Sequence, residues 1–150
     1  MTVEFSDSFP MAEESSLSRF EQKFKTVLPY EYRSFLLRQN GGFPLNDVLF
    51  HVPELNEDVM LAMLYGVSDI PSQGTIEFEI NDILEDLKGL LLPIGHDPGG
   101  NSILLGLKEE FLGRVYYWDS SYFFETSDDD LNTYLISETF NEFIDNLTRF

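Results

Sequence analysis

The chain has no cysteine among its 150 residues. This absence excludes disulfide bonds, thiolate nucleophiles and zinc sites with cysteine ligands. The chain also has no apolar run near the roughly 20 residues that a membrane-spanning helix requires, and its acidic N-terminal stretch does not resemble a secretion signal. We therefore predict a cytoplasmic protein without membrane contact, long enough to bury the core of one domain.

Positive charge is also scarce, and its distribution is uneven. Nine lysines and arginines stand against 27 aspartates and glutamates, which gives a formal net charge of −18. No lysine or arginine occurs between Gln39 and Leu87. The same interval contains Asp47, Glu54, Glu57, Asp58, Asp69, Glu77, Glu79, Asp82, Glu85 and Asp86.

This charge distribution restricts the partners of the protein. A negative field repels phosphate backbones, so we predict no direct binding of nucleic acid. The same field attracts a basic protein and can raise its encounter rate by about 10–10³-fold at low salt. The competing interpretation is that the acidity only keeps the protein soluble, because charge informs on association and not on fold.

Helical periodicity dominates the first part of the chain. Residues 1–14 are predicted to be a loose lead-in, and residues 15–150 to form the domain. Ser15 or Ser16 is the predicted N-cap of a first helix. The apolar residues at helical spacing in this helix are Leu17, Phe20, Phe24 and Val27.

A second helix is predicted to begin at Pro29, because proline is tolerated at a first helical position. Asn40-Gly41-Gly42 is predicted to end this helix, since Gly and Asn adopt a left-handed C-terminal cap at little cost. The predicted inward face comprises Tyr32, Phe35, Leu36 and Gln39.

The middle of the chain changes to runs of strand length. These runs are Asp47–Val52, Val59–Tyr65, Leu90–Ile94, Ser102–Leu107 and Arg114–Trp118. Among them, residues 76–87 have helical spacing, although Thr75–Ile80 also alternates as a strand does.

The end of the chain returns to helical spacing. A turn is predicted at Asp128–Asp130, and Ser137 is the predicted cap of a last helix. The apolar face of that helix comprises Phe140, Phe143, Ile144 and Leu147. Helices first, strands in the middle and a helix last indicate an α+β fold, in which helices cover one face of a largely antiparallel sheet.

Three segments of the chain form a recognisable series of motifs. Residues 28–44 (LPYEYRSFLLRQNGGFP) contain a leucine-proline, an aromatic helix and an Asn-Gly-Gly exit. Residues 91–107 (LLPIGHDPGGNSILLGL) and 113–119 (GRVYYWD) contain apolar strands and a Gly-Gly-Asn turn, and residues 136–147 (ISETFNEFIDNL) contain a closing helix. Together the three segments resemble the SUKH superfamily, and they occur in the family's order across most of the chain.

The resemblance implies a domain for protein–protein interaction. The superfamily includes a fungal cell-wall regulator and many bacterial immunity proteins, which bind and neutralise secreted or contact-delivered toxins. It therefore implies a non-catalytic immunity protein whose cognate toxin is basic and of the nuclease type. The alternative is a regulatory interaction module that recruits an endogenous partner.

Other residues could indicate chemistry, and His96-Asp97 could be a general base with its orienting carboxylate. Adjacent turn residues point apart, however, and His51 lies far from His96 in the sequence. Asp97, Asn101 and Asp119 could ligate a cation, but Asp and Asn are ordinary turn residues.

The remaining motifs favour structure over chemistry. Gly95, Gly99 and Gly100 lack the Lys-Ser or Lys-Thr that follows in a phosphate loop. Tyr116, Tyr117 and Trp118 could stack on a carbohydrate, but strand alternation sends Tyr117 to the face opposite the other two. We predict no catalytic, metal-binding or cofactor-binding residues. A small hydrolase that uses His96 or Asp119 is the least favoured hypothesis.

The predicted partner-binding surface is anionic. If residues 76–87 form a helix packed by its isoleucines, its outer face carries carboxylates. The predicted contact residues are Glu54, Glu57, Asp58, Glu77, Glu79, Asp82, Glu85 and Asp86. The run Asp128–Asp130 is the competing patch. The sequence leaves the toxin's identity and the oligomeric state open.

Overall fold

The computed structural model describes residues 3–6, 9–80, 89–119 and 133–149. Helices and antiparallel strands both occur in these residues, which confirms the α+β class. The helices are α1 (Glu14–Phe24), α2 (Tyr30–Arg38), α3 (Ile76–Ile80) and α4 (Phe140–Asp145). The strands are β1 (Val48–Val52), β2 (Glu57–Met60), β3 (Met63–Leu64), β4 (Leu91–His96), β5 (Ser102–Gly106), β6 (Val115–Trp118), β7 (Thr133–Ser137) and β8 (Thr148–Arg149).

The strands form two sheets. The larger sheet has the order β3-β4-β5-β6-β7, and the smaller has the order β2-β1-β8. Every named pair of strands is antiparallel. The predicted central antiparallel sheet is therefore confirmed, and the three middle strands β4, β5 and β6 agree with their predictions to within two residues.

The two faces of the larger sheet have different neighbours. One face packs on the helices in the main core, to which it contributes Leu92, Ile94, Ile103, Leu105, Val115 and Tyr117. The opposite face carries a second cluster of Leu91, Leu104, Tyr116 and Trp118. Successive residues of a strand point to opposite faces, which is why Tyr117 separates from its two neighbours.

The inward faces of the first two helices are largely confirmed. The buried residues of α1 are Leu17 and Phe20, and those of α2 are Tyr32, Phe35 and Leu36. Val27 was predicted wrongly, because α1 ends at Phe24 and leaves Val27 75% exposed.

The predicted helix starts need correction. Glu13 occupies the N-cap position of α1 without a side-chain bond, so Ser15 and Ser16 lie inside the first turn instead of capping it. Pro29 is the N-cap of α2 and not its first residue. The preceding Leu28 N–H donates to the Glu21 carboxylate at 2.8 Å, which joins the end of α1 to the start of α2.

The Asn40-Gly41-Gly42 motif was wrongly predicted to be a helix C-cap. The C-cap residue is Gln39, in an extended conformation. Gly41 has φ +71°, and a Cβ there would lie 2.6 Å from the backbone nitrogen of Gly66. Glycine is needed at this position because two backbone segments cross, and not because a helix ends.

The apolar run 59–65 was predicted as one strand, but it contributes to both sheets. Its first residues lie in β2 and pair with β1, whereas Met63 and Leu64 form β3 and pair with β4. The intervening residues Leu61 and Ala62 donate their N–H groups to Val48 and His96 respectively. Its residues 59–65 are buried or half-buried throughout as the chain passes from one sheet to the other, which accounts for the continuous apolar run.

The segment predicted as a lead-in contacts the rest of the domain. Phe5 forms an isolated bridge with Pro44, and its ring lies 6.0 Å from that of Phe35. Ala12 is buried in the main core. The bounds proposed for the domain nevertheless stay a prediction.

The last helix begins two residues later than predicted. Thr139 is its N-cap and accepts a bond from the Glu142 N–H at 3.1 Å. Ser137 instead ends β7, and its hydroxyl donates to the Thr139 carbonyl at 2.9 Å. The predicted face is confirmed, since Phe140, Phe143 and Leu147 are buried.

This assignment of the cap can be tested by substitution. Replacing Thr139 by alanine is expected to lower the free energy of unfolding by about 1 kcal/mol, because the N–H of Glu142 loses its acceptor. Thr139→Ser keeps the hydroxyl and should retain most of the stability. Urea denaturation of both variants measures the difference, and equal losses would contradict the assignment.

Candidate partner-binding sites

Three predicted contact residues lie together at the turn between β1 and β2. The turn contains a 3₁₀ segment, Pro53–Leu55, and closes at Asn56, whose φ is 50°. The strand register places Glu57 opposite Val52 and Asp58 opposite His51. Glu54, Glu57 and Asp58 are all exposed. We refer to these three carboxylates as the hairpin tip.

His51 is the basic partner that the structure gives the hairpin tip. Its Nδ1 lies 2.8 Å from the Asp58 Oδ1, and both side chains are exposed. This bond fixes the Asp58 side chain across the strand pair. Glu54 in the turn and Glu57 at the start of β2 lie at the same end of the smaller sheet.

The predicted carboxylates of α3 are less accessible. Ile76 and Ile80 are fully buried, as predicted for the inward face. Glu77 is half-buried and accepts the Ser68 N–H at 3.2 Å, and this burial raises its pKa. Glu79 is also half-buried, and its Oε1 accepts the Gly74 N–H at 3.0 Å. Both carboxylates therefore accept hydrogen bonds from the loop that precedes their own helix.

The other predicted acidic residues have no described structure. Asp82, Glu85 and Asp86 lie outside the described residues, and so does the competing run Asp128–Asp130. The five predicted contact residues that the structure describes therefore lie in two separate places. Three lie at the hairpin tip and two lie in α3.

Glu79 also belongs to a cavity that contains His96. The cavity has a volume of about 390 Å³ and is lined by Phe9, Phe43, Met63, Gln73, Gly74, Glu79 and His96. We call it the His96 pocket. Phe43 is 53% exposed, so the pocket is reachable from solvent.

Glycines make room for the aromatic wall of this pocket. Gly74 has φ +92°, and a Cβ there would lie 3.2 Å from the Phe9 ring and 3.1 Å from the Met63 methyl group. A Cβ at Gly66 would lie 2.6 Å from the same ring. The Phe9 ring therefore occupies the space that side chains at positions 66 and 74 would fill.

A hydrogen bond holds the His96 ring at the end of β4. The Tyr65 hydroxyl lies 2.9 Å from His96 Nδ1. Burial raises the pKa of Tyr65, and the nearby negative charge of Glu79 raises it further. The hydroxyl therefore keeps its proton. The pocket thus combines the carboxylate of Glu79 and the imidazole of His96 with apolar walls.

Asp97 belongs to the scaffold and not to this pocket. Its Oδ1 accepts the Asn101 N–H at 2.8 Å. Its Oδ2 accepts the Tyr117 hydroxyl at 2.7 Å and the Asn101 side-chain amide at 3.1 Å. His96 and Asp97 thus have different partners, as expected for neighbours that point apart. These bonds close the turn between β4 and β5.

The other chemical candidates are also structural. Tyr116, Tyr117 and Trp118 are buried, so they present no surface for stacking on a sugar. Within the described ranges, no group of three or more His, Cys, Asp or Glu residues could hold a metal ion. In the same ranges, no helix is long and apolar enough to cross a bilayer.

The comparison with protein families agrees with this arrangement. The model of the SMI1 / KNR4 family (SUKH-1) matches residues 11–146. The chain belongs to this family. The segments that resemble it are α2 and its exit, strands β4 to β6, and α4 with the end of β7. No curated protein and no solved structure matches the sequence.

Sequence reasoning missed most of the residues that line the His96 pocket in this SUKH domain. Phe9 was placed in the lead-in, and Phe43, Met63 and Gln73 were not singled out. The one signal for the pocket in the sequence is the pair of glycines at 66 and 74, which mark close approach of another group.

Proposed function

We propose that this SUKH domain is a non-catalytic immunity protein that acts in the cytoplasm. It binds and neutralises a cognate basic toxin of the nuclease type. The observation that carries the proposal is the hairpin tip, whose three exposed carboxylates lie in the turn between β1 and β2 and at the start of β2. They belong to the 39–87 interval, which has no lysine or arginine.

The chemistry of a nuclease supports this partner. An enzyme that holds a phosphate backbone needs a basic cleft, and an acidic protein can occupy such a cleft as a polyanion mimic. Opposite charges across an interface accelerate association and reject partners of like charge. The same charges disfavour a nucleic acid as the direct partner.

The positions of the five described contact residues refine the proposed contact surface. Glu54, Glu57 and Asp58 are exposed, and Asp58 also bonds to His51, whereas Glu77 is half-buried and accepts the Ser68 N–H. Glu79 contributes through the His96 pocket. We therefore propose the hairpin tip as the main electrostatic contact and α3 as a lesser one.

A binding function fits the side chains better than hydrolysis does. A general base must be able to reach the group that it deprotonates, and it works with a partner that orients it. The Asp97 carboxylate accepts hydrogen bonds from Asn101 and Tyr117, whereas the His96 imidazole bonds to Tyr65. This arrangement supports the non-catalytic role.

The test is inhibition of the toxin encoded beside this gene. Purified protein mixed with that toxin at equal molar amounts is expected to abolish its activity, and co-expression is expected to protect cells. A toxin that stays fully active would overturn the proposal. A pull-down that returns only a housekeeping signalling enzyme would favour the regulatory module instead.

Neutralising the hairpin tip should slow association. We expect Glu54→Gln/Glu57→Gln/Asp58→Asn to lower the association rate constant for the toxin by about tenfold at low ionic strength, with little change in dissociation. Stopped-flow mixing at low and physiological salt measures both rates.

A matched variant shows whether the association rate depends on the position of the neutralised carboxylates or only on the net charge of the protein. Glu13, Glu109 and Glu110 are exposed and lie outside the β1–β2 hairpin. Their triple neutralisation changes the net charge equally, and we expect it to slow association by less than about twofold, since screening limits distant charges. Equal effects of the two triple variants would contradict a specific role of the hairpin tip.

A further inference from the structure

The charges in the His96 pocket differ from those in three other cavities between described residues. One of these, with a volume of about 250 Å³, also contains carboxylates, those of Glu31 and Glu138. However, Glu31 accepts the Asn141 N–H at 2.9 Å, and Glu138 pairs with Arg114 at 2.9 Å. Two other cavities include a lysine or arginine in their walls.

Glu79 is placed differently. It lines the His96 pocket, and none of the described residues that line this pocket is a lysine or arginine. The Gly74 N–H donates to its Oε1 and not to its Oε2. A carboxylate in a pocket with apolar walls favours a positive charge more strongly than one in open water, because the local dielectric is lower.

We propose that the His96 pocket receives an arginine side chain of a basic partner protein. The identity of the partner rests on the proposed function, whereas the chemistry of the pocket does not. The guanidinium donates to Glu79 Oε2 and stacks on the rings of Phe9 and Phe43. The aliphatic part of the side chain packs on Met63.

Arginine fits this pocket better than lysine does. Its guanidinium is planar and stacks on aromatic faces, and it is more weakly hydrated than an ammonium group. Its transfer from water into a mainly apolar pocket therefore costs less. Arginine is also enriched among the few residues that dominate binding energy at protein interfaces.

The pocket is connected to the hairpin tip through the backbone. The tip leads into β2, and Leu61 and Ala62 connect β2 to β3, whose Met63 lines the pocket. Glu79 and the hairpin tip both lie in the 39–87 interval without lysine or arginine.

Nuclear magnetic resonance of the methionine methyl groups tests the proposal without the toxin. The chain has four methionines, so the spectrum is simple. Met63 lies in the pocket, and the exposed Met11 does not line it. The probe is Nα-acetyl-arginine amide at physiological salt, and the control ligand is Nα-acetyl-citrulline amide, which has the same shape without the charge.

We expect the arginine probe to shift the Met63 methyl resonance saturably, with a dissociation constant on the order of 1 mM for so small a ligand. The Met11 resonance should not move. Citrulline amide and lysine amide are expected to bind at least about tenfold more weakly. Equal shifts with citrulline amide, or shifts at Met11 alone, would overturn the proposal.

Substitutions locate the binding. Glu79→Gln keeps an acceptor for the Gly74 N–H and is expected to weaken binding of the arginine probe by about tenfold or more. Phe43→Ala removes an exposed aromatic wall and is expected to weaken it by several-fold, on the order expected for loss of a cation–π contact. Glu110→Gln, which makes the same charge change outside the pocket, should have no effect.

The two proposals can fail separately. Saturable arginine binding in the pocket combined with an uninhibited toxin would leave the pocket assigned and overturn the immunity function. Full inhibition of the toxin by Glu79→Gln, together with no shift of Met63, would overturn the pocket proposal and leave the immunity function standing.

Discussion

Replacing Asn40 by alanine is expected to lower the free energy of unfolding by about 3 kcal/mol, the sum of several buried groups that lose their partners. The Asn40 side chain is 7% exposed. Its amide donates to the carbonyls of Pro10 and Val67, each at 2.9 Å. Its oxygen accepts the Val67 N–H at 2.8 Å.

Asn40 therefore joins the N-terminal segment, the end of α2 and the loop before α3. Alanine leaves the Val67 N–H buried without an acceptor, and an unpaired buried group costs about 1–3 kcal/mol. Aspartate would keep the acceptor but lose both donated bonds. We expect it to be only partly tolerated.

Urea denaturation of the full chain measures this loss. Asn46→Ala is the matched control, because Asn46 is exposed, and it should change stability by less than about 0.5 kcal/mol. Wild-type stability of Asn40→Ala would show that the three bonds contribute little. The function of the Asn-Gly-Gly motif would then need another explanation.

The sequence predicted the parts of the fold that local patterns determine. Leu17 and Phe20 on α1, and Tyr32, Phe35 and Leu36 on α2, were predicted to face the core and are buried there. Strands β4 to β6 were predicted because turn residues separate their apolar runs. Helical spacing and turn chemistry act over a few residues, so a single sequence contains them.

Features that depend on distant contacts could not be predicted in this way. The residues next to Gly41 and Gly66 do not predict that the two glycines approach each other closely. The transfer of the chain from one sheet to the other at Leu61 and Ala62 depends on the positions of β1 and β4. Local reasoning assigned the first to a helix cap and the second to one strand.

The end of the chain shows that one error was avoidable. Thr139 and Glu142 have the spacing of a capping box, which marks a helix start. This pattern competes with Ser137, and the structure selects Thr139 as the N-cap. The strand β7, which ends at Ser137, explains why the helix cannot begin earlier.

The candidate site was predictable only in its charge. The interval without lysine or arginine directed attention to Glu54, Glu57 and Asp58, and the hairpin brings these three together. The His96 pocket was not predictable, because its lining comes from five separate segments of the chain. Its Glu79 is a predicted contact residue and its His96 a candidate general base, and no local pattern indicates that the two share a cavity.

Replacing Asp97 by alanine is expected to destabilise the domain by about 3 kcal/mol, because one buried carboxylate serves three donors. The side chain is 5% exposed. Alanine leaves the Tyr117 hydroxyl and both Asn101 amide groups without this acceptor. Thermal denaturation measures the loss, with the exposed Asp145 replaced by alanine as control.

A double-mutant cycle with Tyr117→Phe assigns the cause of this loss. Tyr117→Phe alone removes the bond to Asp97 and is expected to cost about 1 kcal/mol. In that background Asp97→Ala no longer takes an acceptor from a buried hydroxyl, so its cost should fall by about 1 kcal/mol. Additive costs would show that the 2.7 Å bond between the two side chains contributes little.

The same variant separates a scaffold from an active site. A catalytic Asp97 would lose an activity when replaced and leave a folded domain, whereas a structural Asp97 loses stability first. At temperatures where Asp97→Ala is still folded, we expect it to bind the toxin as tightly as the wild-type protein, because the carboxylate is buried in the turn. Wild-type stability together with a lost enzymatic activity would instead favour the hydrolase hypothesis.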